Sequence, residues 1–177
     1  MKKNLLWMLA AILISSLTAV SMSSCSKDDE KDNEREQKTP TLVGMRAKYY
    51  VKANSLTMFD ACDVTVEYTG NNGQTQTRTL TTATAEFTSD VVTINGLPNT
   101  AQLKVVITPK ENITTEKYDI DLTYGVGGVA FNDQGTNTGA IKIVTNHVGM
   151  IGRMAENKTP VTRTKTITIL ADGTIQQ

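Results

Sequence analysis

From Thr41 onward the chain alternates apolar and polar residues with a period of two, the signature of half-buried β-strands. In "VGMRAKYYVK", Met45, Ala47, Tyr49 and Val51 fall on one face and Arg46, Lys48, Tyr50 and Lys52 on the other. "ACDVTVEYTG" sets Cys62, Val64, Val66 and Tyr68 inward, with Asp63, Thr65 and Glu67 outward. Gly70-Asn71-Asn72-Gly73 reads as a hairpin turn that needs positive φ, and "QTQTRTL" as its β-branched return strand. Further strands are predicted at Ala83–Thr88, Val91–Asn95, Gln102–Thr108, Lys117–Tyr124, Gly139–Thr145 and Thr162–Leu170. In Lys117–Tyr124, Tyr118, Ile120, Leu122 and Tyr124 form the apolar face, while Asp119, Asp121 and Thr123 face water. Two short helices are expected, at Asn54–Phe59 and at Asn146–Asn157, the latter placing Val148, Ile151 and Met154 or Ala155 on one side.

Many short strands at regular spacing predict an all-β domain over residues 41–177, an antiparallel sandwich with one or two short helices. A small lipocalin-like barrel is the alternative. "VVTINGLPNTAQLKVVI", Val91 to Ile107, resembles the strand–Gly-Leu-Pro–strand corner of fibronectin type III and immunoglobulin-like modules.

The first forty residues follow a different pattern. Lys2 and Lys3 precede the apolar run Leu5–Val20, which is interrupted by Ser15, Ser16 and Thr18. It is short for a membrane span and is followed by small residues, as in a secretory signal. The run reads as a signal peptide, cut either at Ala19-Val20-Ser21 by an ordinary signal peptidase or, giving a signal peptide of residues 1–24, at the motif that follows. "MSSC", Met22 to Cys25, resembles the lipobox of bacterial lipoproteins, with Met22 where leucine is usual. The resemblance implies that Cys25 becomes the acylated first residue, attached to the outer membrane. Each buried methylene contributes about 0.8 kcal/mol, and two acyl chains already anchor stably.

Residues 26–38 mix both charges and contain no apolar side chain, so residues 25–40 read as a solvated tether. It would span about 20 Å r.m.s.. Ser26-Lys27-Asp28-Asp29-Glu30 resembles the lipoprotein export signal of Bacteroidetes, which implies exposure on the cell surface. Together, the lipobox, "NSLTMFDACDVTVEYTGNNGQTQTRTLT", "GLPNT" and the closing "ADGTI" resemble a group of small, uncharacterised Bacteroidetes lipoproteins. That group supplies an address and a fold; it supplies no reaction.

Composition narrows the function. The 177 residues carry 18 basic and 18 acidic side chains, so no basic footprint for nucleic acid exists. With Cys25 acylated, Cys62 has no partner for a disulfide, and its alternation with Val64 and Val66 makes it a small buried hydrophobe. His147 is the only histidine. Catalysis there needs a nucleophile and an orienting carboxylate, and Ser55, Ser89 and Cys62 are the candidates, none in a Gly-x-Ser-x-Gly setting. One histidine and one buried cysteine do not make a zinc site. Asp119 and Asp121 read as solubilising acids on one strand face.

"YGVGGVAFNDQGTNTG", Tyr124 to Gly139, is the least regular stretch and reads as a hairpin tip. Asp133, Asn137 and nearby carbonyls could offer oxygens to Ca²⁺, without the acidic spacing of a known calcium loop.

The expectation is a non-enzymatic envelope module with no cofactor, bound to the membrane through its lipid and contacting an envelope protein or an extracellular polymer. Alternatives are a glycan-binding accessory of nutrient uptake, with Tyr50 flanked by Lys48 and Lys52 as its platform, and a barrel carrying an apolar ligand.

Overall fold

In the computed structural model, residues 39–111, 117–153 and 160–177 are described. The alternating segments become strands β1 (Leu42–Ala53), β2 (Cys62–Thr69), β3 (Thr75–Leu80), β4 (Glu86–Thr88) and β5 (Val92–Asn95). They continue as β6 (Asn99–Pro109), β7 (Lys117–Asn132), β8 (Asn137–Arg153), β9 (Val161–Ile169) and β10 (Ile175–Gln176). A single short helix, α1 (Met58–Ala61), connects β1 to β2.

The strands form two five-stranded antiparallel sheets. In sheet A the order is β4-β1-β7-β8, with β5 also on β1; in sheet B it is β10-β9-β6-β2-β3. The sheets do not close on each other, so the fold is the sandwich and not the lipocalin-like barrel. The Gly-Leu-Pro corner works as expected. Gly96 takes φ 84° and the Leu97–Pro98 bond is cis, and the chain there leaves β5 in sheet A for β6 in sheet B.

Between the sheets lie Met45, Tyr49, Leu122 and Tyr124 from sheet A and Val64, Leu103, Ile107 and Ile167 from sheet B, all at 1% exposure or less. Each aliphatic or methionine side chain among them contributes about 1.5–3 kcal/mol by leaving water. α1 closes one end by burying Met58, Phe59 and Ala61. Lys110 Nζ donates to the carbonyl of Phe59 at 2.7 Å and holds the helix against the end of β6. Cys62 is buried at 1% exposure, on the face its alternation predicted.

Three local expectations need correction. The helix expected at 54–59 is a single turn at Met58–Ala61. Asn146–Arg153, expected as part of a second helix, continues β8, paired with β7 from Tyr124↔Asn146 to Lys117↔Arg153; the rest of that stretch, 154–159, lies outside the described residues. Its glycines disfavour helix, and the ladder with β7 supplies its backbone with partners.

The third is the glycine-rich stretch, which is not a hairpin tip. Tyr124–Asn132 forms the second half of the central strand β7, paired with β1 on one side and β8 on the other. Here glycine permits close approach. A Cβ on Gly125 would meet Thr145 Cγ2 and the Val144 carbonyl, both at 2.8 Å, and one on Gly128 would meet Ile167 Cγ2 of the opposite sheet at 3.2 Å. Only the turn at 133–136 matches the expectation of a loop.

Candidate functional site

The chemistry-bearing residues gather on the outer face of sheet A, opposite the core. Alternation from the inward Val51 and Leu122 directs Lys52, Thr123 and Asp121 outward. Lys52 pairs with Glu86 on β4 and Thr123 on β7, and Thr123 pairs with His147 on β8. Four strands thus lay Glu86, Lys52, Thr123 and His147 in one row.

Asn54, just beyond the end of β1, organises one end of this row. Its backbone N donates to the Asp121 carbonyl at 2.7 Å. Its Nδ2 donates to Asp121 Oδ1 at 2.8 Å and to Thr123 Oγ1 at 3.1 Å. His147 Nε2 lies 2.6 Å from the same Asp121 oxygen. The Asn54 hydrogen bond, aided by His147 and opposed by partial burial, holds the Asp121 carboxyl below its ordinary value. The His147 side chain is half exposed at 51%, against 35% for Asp121. At the row's other end Lys52 meets Glu86 at 3.2 Å.

A histidine braced by a carboxylate is the base half of a nucleophilic triad. The three nucleophiles named from the sequence are directed elsewhere. Ser55 Oγ shares a hydrogen bond with Thr57 at 2.9 Å. Ser89 is buried, donating to the Asp90 carbonyl and accepting from Tyr49 N. Cys62 lies in the core. The cluster therefore presents hydrogen-bonding groups in a fixed array. Among the described residues, no three His, Cys, Asp or Glu side chains converge to hold a metal.

Tyr50 does not form the exposed platform the sequence suggested. It points outward, yet it and Lys48 are each only 5% exposed. In register, Tyr50 lies beside Gly125 and Lys48 beside Gly127, with no side chain on β7 to hold them apart from the sheet. Burial, reinforced by the neighbouring Glu86 carboxylate, pushes the Tyr50 phenol up to about 12. Burial also lowers the Lys48 ammonium, against the opposing pull of Asp90.

Further along the same face, the Arg46 guanidinium sits 4.9 Å from the centre of the Phe131 ring and donates to Asn137 Oδ1 at 2.6 Å. Asn137 thus faces a fixed cation, which disfavours the metal-ion role considered for it. Asp133 Oδ1 accepts from Thr41 N at 3.3 Å.

Asp119 and Asp121 do share the outer face, but the cluster around Asp121 was not foreseen. The signal was present in the alternation of Ile141, Ile143, Thr145 and His147. Cys25, Ser26, Lys27, Asp28, Asp29 and Glu30, the expected lipidation and export residues, lie outside the described residues. No family model, curated protein or solved structure matches the chain.

Proposed function

We propose that this chain is a lipoprotein of the bacterial outer membrane, anchored through Cys25 and displayed on the cell surface. Its sandwich acts there as a non-enzymatic binding or structural module toward an envelope protein or extracellular polymer. The observation that carries the reading is Cys25, standing directly after the apolar run Leu5–Val20 and before the charged stretch at 26–38. A cysteine there offers the thiol that acylation needs, and Ser23 and Ser24 leave the cleavage site unobstructed.

The domain supports a binding role in two ways. Large side chains occupy the space between the sheets, which argues against a carrier with an apolar ligand inside. The His147–Asp121 pair is accompanied by Asn54 and Thr123, groups that can hydrogen-bond a polar partner. The glycan alternative loses its aromatic platform with Tyr50 buried.

Metabolic labelling with a fatty acid tests the anchor. Cys25→Ala should abolish labelling and leave the precursor uncut. Replacing Lys27 through Glu30 with alanine should preserve labelling while removing the protein from the surface, read by protease treatment of intact cells. Protection of the unaltered protein until the envelope is broken would refute surface display, and persistent labelling of Cys25→Ala would refute the anchor.

A further inference from the structure

Sheet edges leave backbone N–H and C=O groups unpaired, and proteins that must stay apart blunt them with short strands, charge or covering segments. Three edges of this sandwich are treated in that way. On sheet A, β1 is covered by β4 of 3 residues and β5 of 4 residues. Between them Ser89 N donates to the Tyr49 carbonyl and Ser89 Oγ accepts from Tyr49 N, each at 3.0 Å. On sheet B, the exposed side chains of β3, Thr75 to Thr79, are all polar, with Arg78 among them, and offer no apolar surface to a second strand. At the other edge of sheet B, β10 covers the end of β9, and Arg163 and Lys165 mark the stretch it leaves open.

The fourth edge is different. β8 runs for 17 residues without proline, and among the described residues no strand pairs with its side away from β7. Between Gly139 and His147 it carries the β-branched residues Ile141, Ile143, Val144 and Thr145 and a single full charge, Lys142.

We infer that this edge joins two copies of the chain, pairing β8 with β8 antiparallel about a two-fold axis at Ile143, perpendicular to the sheet. Such an axis keeps each face of the sheet continuous. It sets Ile143 against its own copy and Ile141 against Thr145 on the outer face. On the other face it sets Lys142 against Val144 and Ala140 against Asn146. β-branched residues oppose each other and no like charges meet, the arrangement that favours cross-strand pairing. The strand itself bounds the register. Gly139, at φ 78°, ends the regular pleat, and its counterpart across the axis is His147, already held by Asp121. The two sheets A become one. This pairing is independent of the lipid anchor.

The test uses the full chain with Ile143→Cys and a short bismaleimide, run beside the unaltered chain and Thr79→Cys on the blunted β3 edge. Ile143→Cys should give a cross-linked species of twice the chain mass, well above both controls. Adding Ala140→Lys with Asn146→Lys opposes lysines across the axis and should reduce that species about fivefold. Adding Ala140→Glu with Asn146→Lys opposes unlike charges and should keep it. Both sites are exposed, so neither charge arrangement disturbs the core of the isolated chain. If Ile143→Cys fails to accumulate, a mixture of Ile141→Cys and Thr145→Cys chains reads the same register. Cross-linking no better than Thr79→Cys, equal behaviour of the two charge arrangements, or a product containing a different protein would each overturn the inference.

Discussion

Replacing Gly44 with alanine probes whether the outer face of sheet A is packed as described. A Cβ at this position would lie 2.5 Å from the Ile94 carbonyl oxygen and 2.6 and 2.8 Å from Cε1 and Cζ of Phe131. Neither neighbour yields freely. The Ile94 carbonyl belongs to the backbone of β5, held to β1 by the pairs from Gly44↔Asn95 to Ala47↔Val92. The Phe131 ring can swing away only by leaving Arg46, whose guanidinium is 4.9 Å from its centre and fixed by Asn137.

Overpacking of this kind costs about 1–3 kcal/mol, and loss of the cation–π contact adds about 0.5–1 kcal/mol. Restricting the unfolded chain offsets about 0.4–1 kcal/mol. The net is a destabilisation of about 2 kcal/mol, or roughly 6–8 °C in melting temperature for a domain of this size. Thermal unfolding followed by circular dichroism measures it, with tyrosine as the near-ultraviolet probe because Trp7 is the only tryptophan. Gly44→Ala combined with Phe131→Leu separates the two clashes. Removing the ring should recover about 1 kcal/mol relative to additivity, leaving the clash with the carbonyl. A Gly44→Ala protein melting within about 1 °C of the parent would refute the packing argument. Strict additivity with Phe131→Leu would show that the ring is not the obstacle.

Cys62→Ala should cost about 1 kcal/mol through lost volume; rapid labelling of the native thiol would contradict its burial at 1% exposure. Asp121 gives a pH signature. Its folded carboxyl sits below the ordinary value of 3.8, so its stabilisation is complete above that value and disappears as the pH falls through the depressed one. Because the pair is partly exposed, Asp121→Asn should cost only about 0.5–1 kcal/mol at neutral pH. It should also flatten the acid limb of a stability-versus-pH curve, and an unchanged limb would mean that the Asn54 and His147 contacts do not stabilise the fold. The chain from Thr41 to Gln177 should fold alone, with a β-type far-ultraviolet spectrum; a coil spectrum would mean that the sandwich depends on residues before it.

The sequence made strands legible where one face is dry and the other wet. In β2 and β6, Val64, Val66, Leu103 and Val105 alternate with Thr65, Glu67 and Lys104, and the pattern identifies both the strand and its inner face. The same rule failed in the middle of sheet A, for a physical reason. Over part of their length the central strands β1 and β7 have both faces removed from water: Lys48, Tyr50, Val129 and Phe131 are buried on the side away from the core. Alternation predicts their direction correctly but not their burial, which is why Tyr50 read as an exposed platform.

Glycine compounded the difficulty. Gly125 and Gly128 supply no hydrophobic signal, and local propensity treats them as loop formers, although here they let Thr145 and Ile167 approach. A loop at Tyr124–Asn132 leaves β8 without its partner strand, and the spacing of Val148 and Ile151 points to a helix over Asn146–Asn157. Both expectations separate His147 from Asp121, because only the β7–β8 register places His147 beside Thr123 and within reach of the acid. The polar cluster is thus a non-local property of three segments, around Asn54, Asp121 and His147. No window along the chain contains all three, and their assembly depends on two glycines that look like breaks in the strand.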